Sequence, residues 1–463
     1  MKPIFILLLT LFTVFSASAQ DITGKWHGVL NVQQTQLRLV FHVTKTELGY
    51  SSTMDSPDQG ASDITVTSTT FDNATLKFEV ANLKIEYQGE LKDGQVIGTF
   101  HQAGQQFAMN LSREAIEKVV VPRPQEPRKP YPYYSEEVSF ENTGAQITLS
   151  GTLTLPKNGT DFPVVILISG SGPQNRDEEI VGHKPFLVIA DHLTKNGIAV
   201  LRYDDRGVAQ SSGDFKTATS ADFATDVESA IAYLKTRKEI NKDKIGLVGH
   251  SEGGLIAPMV ASTSKDVHFI VLLAGPGISG YDIILLQTEL IKKANGTEES
   301  KVQKEVAFLK NSLDIVVKGD DLTEIKAVLK DSVLKQRSAQ LDLLPEGMRA
   351  EDVDTFVETF TTPWFQYFLK YDPTTSLENV KCAVLAIHGG KDLQVPPKEN
   401  LTAIKNALTK GGNKKVTIKE FADLNHLFQE ARTGSPMEYQ TIEQTFSPVA
   451  LAAISTWIKT QTE

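Results

Sequence analysis

The sequence of 463 residues contains a single cysteine, so no disulfide bond can form within one chain. Basic residues are also in deficit: 47 lysines and arginines face 57 aspartates and glutamates, for a formal net charge of -10. A protein that binds nucleic acid needs a basic face for the phosphates, so this balance argues against a nucleic-acid partner. With 40% hydrophobic and 22% charged residues, the composition predicts a globular protein of two or three domains.

Long hydrophobic runs are scarce as well. The apolar run at residues 4–15 is shorter than the roughly 20 residues that a helix needs to cross a bilayer. It follows Met-Lys-Pro and precedes Ser-Ala-Ser-Ala, which together predict a secretory signal peptide over residues 1–19. We therefore expect a periplasmic or secreted protein, with no integral membrane segment after the signal is cleaved.

Residues 20–115 alternate apolar and polar side chains in short segments, as at residues 37–43 and 76–80. Each such strand has one face to bury, which predicts a small all-β domain, either a lipocalin-like barrel or a sandwich. The opening Gly24-Lys25-Trp26 resembles the start of lipocalin-like barrels. We find no cluster of catalytic side chains in this part of the sequence.

Residues 116–133 are rich in proline, which disfavours helix and predicts a semi-rigid linker. From residue 134 to 463, apolar strands alternate with helical patterns, which is typical of a mostly parallel sheet covered by helices. Between about residues 279 and 371 this alternation stops, and charge-rich helical segments with aromatic clusters predict a helical cap. The predicted fold class is therefore α/β, with a small all-β domain in front.

A strand, a tight turn and a helical segment meet around Ser251. The apolar run at residues 245–248 leads into Gly-His-Ser-Glu-Gly at residues 249–253, and a second apolar segment follows. This is the context of a nucleophile elbow, in which close packing leaves no space for a Cβ at either glycine. We predict that Ser251 is a nucleophile. Pro258 in the following helix predicts a kink or an early end.

A serine nucleophile needs a base to take its proton and a carboxylate to orient that base. On this kind of sheet both partners follow the serine, the acid first and the histidine second. Asp392 follows an apolar strand and a glycine turn, and His426 lies in a loop after the last strand. We predict that Asp392 is the acid and His426 the base.

Three rival groups occur near these positions. Asp423 is the rival acid, but it is so close to His426 in sequence that it is expected to shape the loop. His250 and His388 are the rival bases. We expect His250 to be held inside the elbow, pointing away from the side that Ser251 faces, and His388 to pack at the end of a strand.

The oxyanion that forms during acyl transfer needs two backbone N–H donors. One is expected from Glu252, directly after the nucleophile, and the other from the glycine-rich loop at residues 169–177, where we select Ser171. That loop lacks the following lysine and serine of a phosphate-binding loop. We predict no metal site and no cofactor.

Three segments, at residues 169–177, 202–211 and 249–254, resemble the α/β-hydrolase superfamily. Within it they are similar to the EstD-like bacterial carboxylesterases, which carry a β-rich domain ahead of the hydrolase domain. The resemblance covers about residues 135–460. It implies that Ser251, Asp392 and His426 form the catalytic triad, and that residues 204–207 are a structural turn beside the elbow.

These features predict a serine hydrolase, a carboxylesterase of class EC 3.1.1, that cleaves short- to medium-chain esters through an acyl-enzyme intermediate. The expected partner is a small-molecule ester substrate. The sequence leaves open whether the protein forms a homodimer. One alternative is a serine peptidase of aminopeptidase or dipeptidyl type, with Glu178, Glu179 or Glu252 gripping the substrate amine. Another is a secreted ligand-binding protein without catalytic activity.

Overall fold

The structure, a computed structural model, describes residues 21–32, 35–59, 61–102, 105–117, 121–338 and 352–463. The predicted signal peptide at residues 1–19 lies outside the described residues, and so do residues 339–351 of the predicted cap. The chain divides into two compact units, Met1–Val120 and Val121–Glu463. None of the described helices is long and apolar enough to span a membrane.

The first unit is one curved antiparallel sheet. In the described residues its strand order is β4-β3-β2-β1-β10-β8-β7-β6-β5, and β9 pairs with β8. The strands are β1 (Gly24–Val32), β2 (Thr35–Thr46), β3 (Gly49–Ser56), β4 (Ala61–Val66), β5 (Ser68–Asp72), β6 (Thr75–Val80), β7 (Ile85–Lys92), β8 (Gln95–Gln102), β9 (Gln105–Ala108) and β10 (Leu111–Ser112).

Alternation of side chains builds the core of this sheet, since along β7 every second residue is buried. Phe41 and Phe78 stack with ring centroids 4.4 Å apart inside it. The Thr69 hydroxyl of β5 donates to Ser52 Oγ of β3 over 2.9 Å, so the two ends of the sheet approach each other. The predicted all-β domain is confirmed, and the single curled sheet is barrel-like rather than a sandwich.

The second unit contains a mostly parallel sheet. Its described strands follow the order β11-β12-β14-β13-β15-β16-β17-β18, in which β13 to β18 run parallel and β12 pairs antiparallel with both of its neighbours. The strands are β11 (Tyr134–Asn142), β12 (Ile147–Leu155), β13 (Phe162–Ile168), β14 (Ala199–Tyr203), β15 (Ile240–His250), β16 (Phe269–Leu273), β17 (Ala383–Gly389) and β18 (Val416–Phe421).

Helices cover both faces of this sheet. Those described are α1 (Pro185–Lys195), α2 (Ser220–Leu234), α3 (Gly253–Ala261), α4 (Gly280–Ala294), α5 (Glu299–Lys318), α6 (Leu322–Ser338), α7 (Asp352–Phe360), α8 (Pro363–Lys370), α9 (Thr374–Leu377), α10 (Pro397–Lys410) and α11 (Pro448–Thr462). Successive residues of β13 enter opposite cores, Val164 packing with α2 and α3 and Val165 with α1 and α11. The predicted α/β fold is confirmed.

Helices α4 to α8 occupy the interval in which the sequence predicts a cap, and they share a separate apolar core that includes Leu313, Leu329 and Phe365. Helix α3 continues three residues beyond Pro258. The proline removes one N–H from the helix, and the Ser262 N–H still bonds to the Pro258 carbonyl at the helix end.

Two side chains of the proline-rich stretch bond to distant parts of the second unit, which begins at Val121. The Arg123 guanidinium donates to the carbonyls of Gly182 and Gln440, at 3.2 and 3.0 Å. The Gln125 amide donates to the Phe446 carbonyl over 2.6 Å. Residues 123–125 are therefore bonded to other parts of the second unit, within the stretch that the sequence predicts to be a semi-rigid linker.

Candidate active site

The turn between β15 and α3 has the backbone of a nucleophile elbow. Ser251 sits at its tip with φ of 52°, a left-handed conformation that costs energy for any residue with a side chain. A Cβ built on Gly249 would overlap the carbonyl of Gly253, and one built on Gly253 would overlap the carbonyl of Ile168. The two glycines are required for the physical reason that the sequence predicts.

Asp392 and His426 form a buried hydrogen-bonded pair at the carboxyl ends of the strands. Asp392 follows β17, His426 follows β18, and Nδ1 of His426 lies 2.8 Å from Oδ2 of Asp392. The other carboxylate oxygen accepts the backbone N–H groups of Gln394 and Val395 at 2.9 and 2.8 Å. Because the carboxylate is an acceptor, it holds the proton on Nδ1 and leaves Nε2 to accept another.

His426 lies next to the elbow. The Nε2 atom of His250, the residue before Ser251, is 3.0 Å from the carbonyl oxygen of His426. The rings of these two histidines are 4.9 Å apart between centroids. In the described part of the chain, no hydrogen bond engages either the Ser251 hydroxyl or Nε2 of His426. The structure thus brings the predicted base to the elbow without a bond to the serine, as is common in enzymes without substrate.

The rival groups have other surroundings. Asp423 is exposed and pairs with Lys391 at 3.0 Å, so it is not a partner of His426. His388 is fully buried in β17, and burial lowers its pKa to about 4, so the ring is neutral and packs as predicted. The prediction that His250 points away from the reacting side is wrong, because its ring packs against that of His426.

The loop after β13 passes directly over the nucleophile. A Cβ built on Gly170 would lie 3.1 Å from the Cβ of Ser251. The Gly170 N–H donates to Oε1 of Glu178 over 2.7 Å. Among the described residues, the N–H groups of Ser171 and Glu252 have no hydrogen-bond acceptor. The two N–H groups that the sequence predicts as oxyanion donors are therefore not engaged by other groups of the described chain.

Asp205 holds this loop in place. It accepts hydrogen bonds from the Ser169 hydroxyl at 2.7 Å and from the Gln174 N–H at 2.9 Å. Burial raises the pKa of Asp205 to about 8, opposed by these two hydrogen bonds and assisted by the nearby Glu252 and Glu178. The sequence resemblance implied a structural turn at this point but gave no partner for the carboxyl group.

The neighbouring charges of the same turn are paired. Asp204 accepts from the Arg176 backbone N–H at 2.8 Å and from its guanidinium at 2.6 Å. Arg206 donates from Nε to Asp226 in α2 over 2.8 Å. These buried pairs connect the loop after β13, the end of β14 and helix α2. They account for the charged residues at positions 204–206 as structural rather than reactive groups.

Glu252 connects the elbow to helices α2 and α8. Its Oε1 atom accepts the Ser220 hydroxyl at 2.6 Å and the indole N–H of Trp364 at 2.8 Å. Burial raises the pKa of Glu252, opposed by these two hydrogen bonds. Trp364 belongs to α8, and the sequence gave no sign of this contact, since 112 residues separate the partners.

No group of three or more histidine, cysteine, aspartate or glutamate side chains is arranged to hold a metal ion within the described ranges. A half-buried serine, an oriented imidazole and two free N–H groups suit acyl transfer.

The sequence matches a known family model and a known esterase. A family model described as "Serine aminopeptidase, S33" matches residues 184–430, just over half of the chain. The chain is 29% identical over 311 residues to Esterase EstD of Thermotoga maritima, a match that covers 66% of this chain. It spans 65% of that esterase's length, just under two thirds.

Two solved structures are also similar. The Pyrococcus furiosus esterase Pf2001 is 19% identical with a TM-score of 0.44, and the match covers 75% of this chain and 100% of that one. Est1E of Butyrivibrio proteoclasticus, solved with ferulic acid bound, is 17% identical with a TM-score of 0.41, and the match covers 70% and 99% of the two chains.

Proposed function

Because the chain belongs to the serine aminopeptidase S33 family of α/β-hydrolases, we propose that it is a serine hydrolase that cleaves short- to medium-chain carboxylic esters. In this proposal Ser251 is the nucleophile, His426 the general base and acid, and Asp392 the group that orients His426. One observation carries it. Nδ1 of His426 lies 2.8 Å from the buried Asp392 carboxylate, and the carbonyl oxygen of His426 lies 3.0 Å from Nε2 of His250, the residue before Ser251.

Acylation begins when Ser251 Oγ attacks the carbonyl carbon of the ester and its proton passes to Nε2 of His426. The carbonyl π electrons move to oxygen, which becomes the oxyanion of a tetrahedral intermediate. When this intermediate collapses, the C–O bond to the alcohol breaks, and His426 gives its proton to the departing oxygen. An alcohol leaves, and the acyl group remains on Ser251.

Deacylation repeats these steps with water. The water attacks the acyl carbon, and His426 takes one of its protons. Collapse of the second tetrahedral intermediate breaks the bond to Ser251 Oγ, which recovers its proton from His426, and a carboxylic acid is released. The N–H groups of Ser171 and Glu252 stabilise both oxyanions, and each donor of this kind contributes roughly 3 kcal/mol.

Peptidase activity is the second candidate, since the family model carries an aminopeptidase description. An aminopeptidase needs a carboxylate that is free to bind the substrate amine. Glu178 and Glu252 already accept two protein hydrogen bonds each, through Oε1, and Glu179 is exposed. The contacts of Glu178 and Glu252 favour an ester substrate over a peptide whose amine binds either of these two carboxylates. The free serine and oriented histidine likewise disfavour a binding protein without catalysis.

The test is a substrate panel: p-nitrophenyl acetate, butyrate and longer esters against aminoacyl p-nitroanilides. We expect turnover of the acetate and butyrate esters. Turnover of the anilides alone would refute the esterase assignment and support a peptidase. The Ser251→Ala protein, shown to be folded by circular dichroism, is the control for nonenzymatic ester hydrolysis.

The location proposed for the protein is the periplasm or the outside of the cell, supported by the charged start, apolar run and small-residue end of residues 1–19. Cell fractionation of the full chain against a chain that begins at Gln20 tests this. The full chain should be exported and shortened at its N-terminus, and a full-length cytoplasmic product would contradict export.

A further inference from the structure

His250 is enclosed by two hydrogen-bond acceptors. Its Nδ1 lies 2.9 Å from Oε1 of Glu178, and its Nε2 lies 3.0 Å from the carbonyl oxygen of His426. The side chains of both His250 and Glu178 are almost completely buried, with 5% and 1% of their surfaces exposed. Water is therefore not available to replace either partner.

Counting protons fixes the charge of this imidazole. A neutral imidazole has one N–H donor and one acceptor nitrogen, whereas an imidazolium has two donors. A carbonyl oxygen can only accept, so Nε2 must carry a proton. The proton between Nδ1 and Glu178 belongs on the imidazole, because Oε1 of Glu178 also accepts the N–H of Gly170 and so acts as an acceptor. His250 then donates twice, and Glu178 is its carboxylate counterion.

The other ionisable groups around His250 come from different elements. Asp392 follows β17 and attracts the positive charge, while His426 contributes its carbonyl, and the neutral His388 lies in β17. Burial disfavours the charged ring, but Glu178 and Asp392 outweigh it and raise the pKa of His250. The carboxylate of Glu178 offsets the positive charge of His250 and so reduces its repulsion of the positive charge that His426 acquires in the proposed reaction.

Glu178 reaches a second part of the site. The same Oε1 atom accepts the N–H of Gly170, which precedes the proposed oxyanion donor Ser171. Oε1 of Glu178 thus accepts hydrogen bonds from Gly170, in the proposed oxyanion loop, and from His250, the residue before Ser251. His250 in turn donates to the carbonyl oxygen of His426, the proposed base. The three parts that acyl transfer must align are connected through two side chains.

We propose that His250 is a protonated positioning residue which, paired with Glu178, fixes the main chain of His426 and the oxyanion loop relative to Ser251. The pair acts through other groups and does not touch the substrate. The inference about the charge of His250 stands on the contacts alone, while its effect on rate rests on the proposed function.

The charge is tested by long-range ¹H–¹⁵N spectra of the histidine-labelled wild-type protein at pH 7, with His250 assigned by its loss in His250→Asn. We expect both ring nitrogens of His250 to be protonated. The internal control is His183, a buried histidine whose pKa is lowered by burial. Its Nδ1 lies 3.0 Å from the Thr445 hydroxyl, and its Nε2 lies 2.8 Å from the Tyr439 carbonyl and 3.0 Å from the Gln429 amide. It should be neutral. A His250 ring with one bare nitrogen at pH 7 would overturn the proposal.

The positioning role is tested by Glu178→Gln, which keeps the shape of the side chain and removes its charge. We expect kcat on p-nitrophenyl butyrate to fall roughly 10-fold to 100-fold with KM little changed, because the reacting groups are misaligned. In the wild type, kcat should decline at alkaline pH as His250 loses its proton, and in Glu178→Gln this decline should move to lower pH. An unchanged pH profile would contradict positioning by the charged pair.

Two controls separate the possible failures. Glu136 lies on the edge strand β11, where its exposed carboxylate pairs with Arg237. The Glu136→Gln variant should retain the wild-type kcat. Ester turnover by wild-type protein with a neutral His250 would defeat only the positioning proposal. A charged His250 in a protein with no esterase activity would defeat only the proposed function.

Discussion

The site contains two buried histidine–carboxylate pairs side by side, with nearly the same geometry and different consequences. His426 lies 2.8 Å from Asp392, and His250 lies 2.9 Å from Glu178, with the two rings 4.9 Å apart. They differ in the second ring nitrogen. That of His250 faces a carbonyl oxygen, and that of His426 has no partner among the described residues.

This difference separates the proposed base, His426, from the proposed positioning residue, His250. A carboxylate partner orients either ring, so it does not by itself identify a catalytic histidine. Proton transfer also needs a ring nitrogen that the serine hydroxyl or the attacking water can reach. His426 keeps such a nitrogen beside the elbow, whereas His250 uses both nitrogens to hold protein groups together.

The largest effects on activity should come from Ser251 and from His426, the histidine whose Nε2 has no partner among the described residues. We expect Ser251→Ala and His426→Gln each to lower kcat by at least about 10⁴-fold, and the double variant to lose no more than the worse single one. Residues that act as one unit give such non-additive losses. Ester kinetics on the three folded variants measure this, and additive losses would break the assignment of both residues to one unit.

The two carboxylates should differ next. Asp392→Asn removes the group that sets the tautomer of the base, and we expect kcat to fall about 10⁴-fold. The matched change Glu178→Gln should cost no more than about 100-fold, because it shifts the reacting groups without removing one. If both variants lost activity equally, the distinction between a catalytic and a supporting pair would not hold.

A smaller effect is expected at Glu252, a third buried carboxylate, which accepts a hydrogen bond from helix α8. Trp364→Phe removes the indole N–H that donates to Oε1 of Glu252, and Ser220 remains as the other donor. We expect KM for longer acyl esters to change a few-fold, with kcat within about 10-fold, because the contact positions α8 and not the reacting atoms. Trp457→Phe, which removes a bond to Thr417, is the control.

The smallest effect concerns stability. The pKa of His250 is raised by Glu178 over the opposition of burial, so the pair stabilises the fold fully below the ordinary histidine pKa and loses that contribution as pH rises through the raised value. The thermal unfolding midpoint of the wild type should exceed that of Glu178→Gln near pH 6, and the gap should shrink toward alkaline pH. A gap that is constant from pH 6 to 10 would argue that His250 does not titrate.

Local patterns carried most of the prediction. The glycines at positions 249 and 253 are adjacent in sequence to the serine whose turn they permit, and Asp392 and His426 each follow an apolar strand. The fold followed from the same signals, although strand β3, Gly49–Ser56, is rich in serine and threonine and has no apolar alternation to reveal it. Sequence patterns of short range therefore placed the elbow and the order of the partners.

Contacts between distant residues could not be predicted in this way. Glu178 and His250 are 72 residues apart, and Glu252 and Trp364 are 112 apart. A single glutamate in a loop has no periodic neighbour and no motif, so its partner depends on the path of the whole chain. The same reason explains Arg123, whose acceptors lie near residues 182 and 440.

The central claim is that Ser251 is a nucleophile activated by His426, and covalent labelling tests it most directly. The folded wild-type protein is treated with a fluorophosphonate, and the modified residue is located by peptide mass spectrometry. We predict one adduct, on Ser251, which is absent in Ser251→Ala and much slower to form in His426→Gln. A folded wild-type protein that stays unlabelled, or that is labelled at another residue, would contradict this assignment.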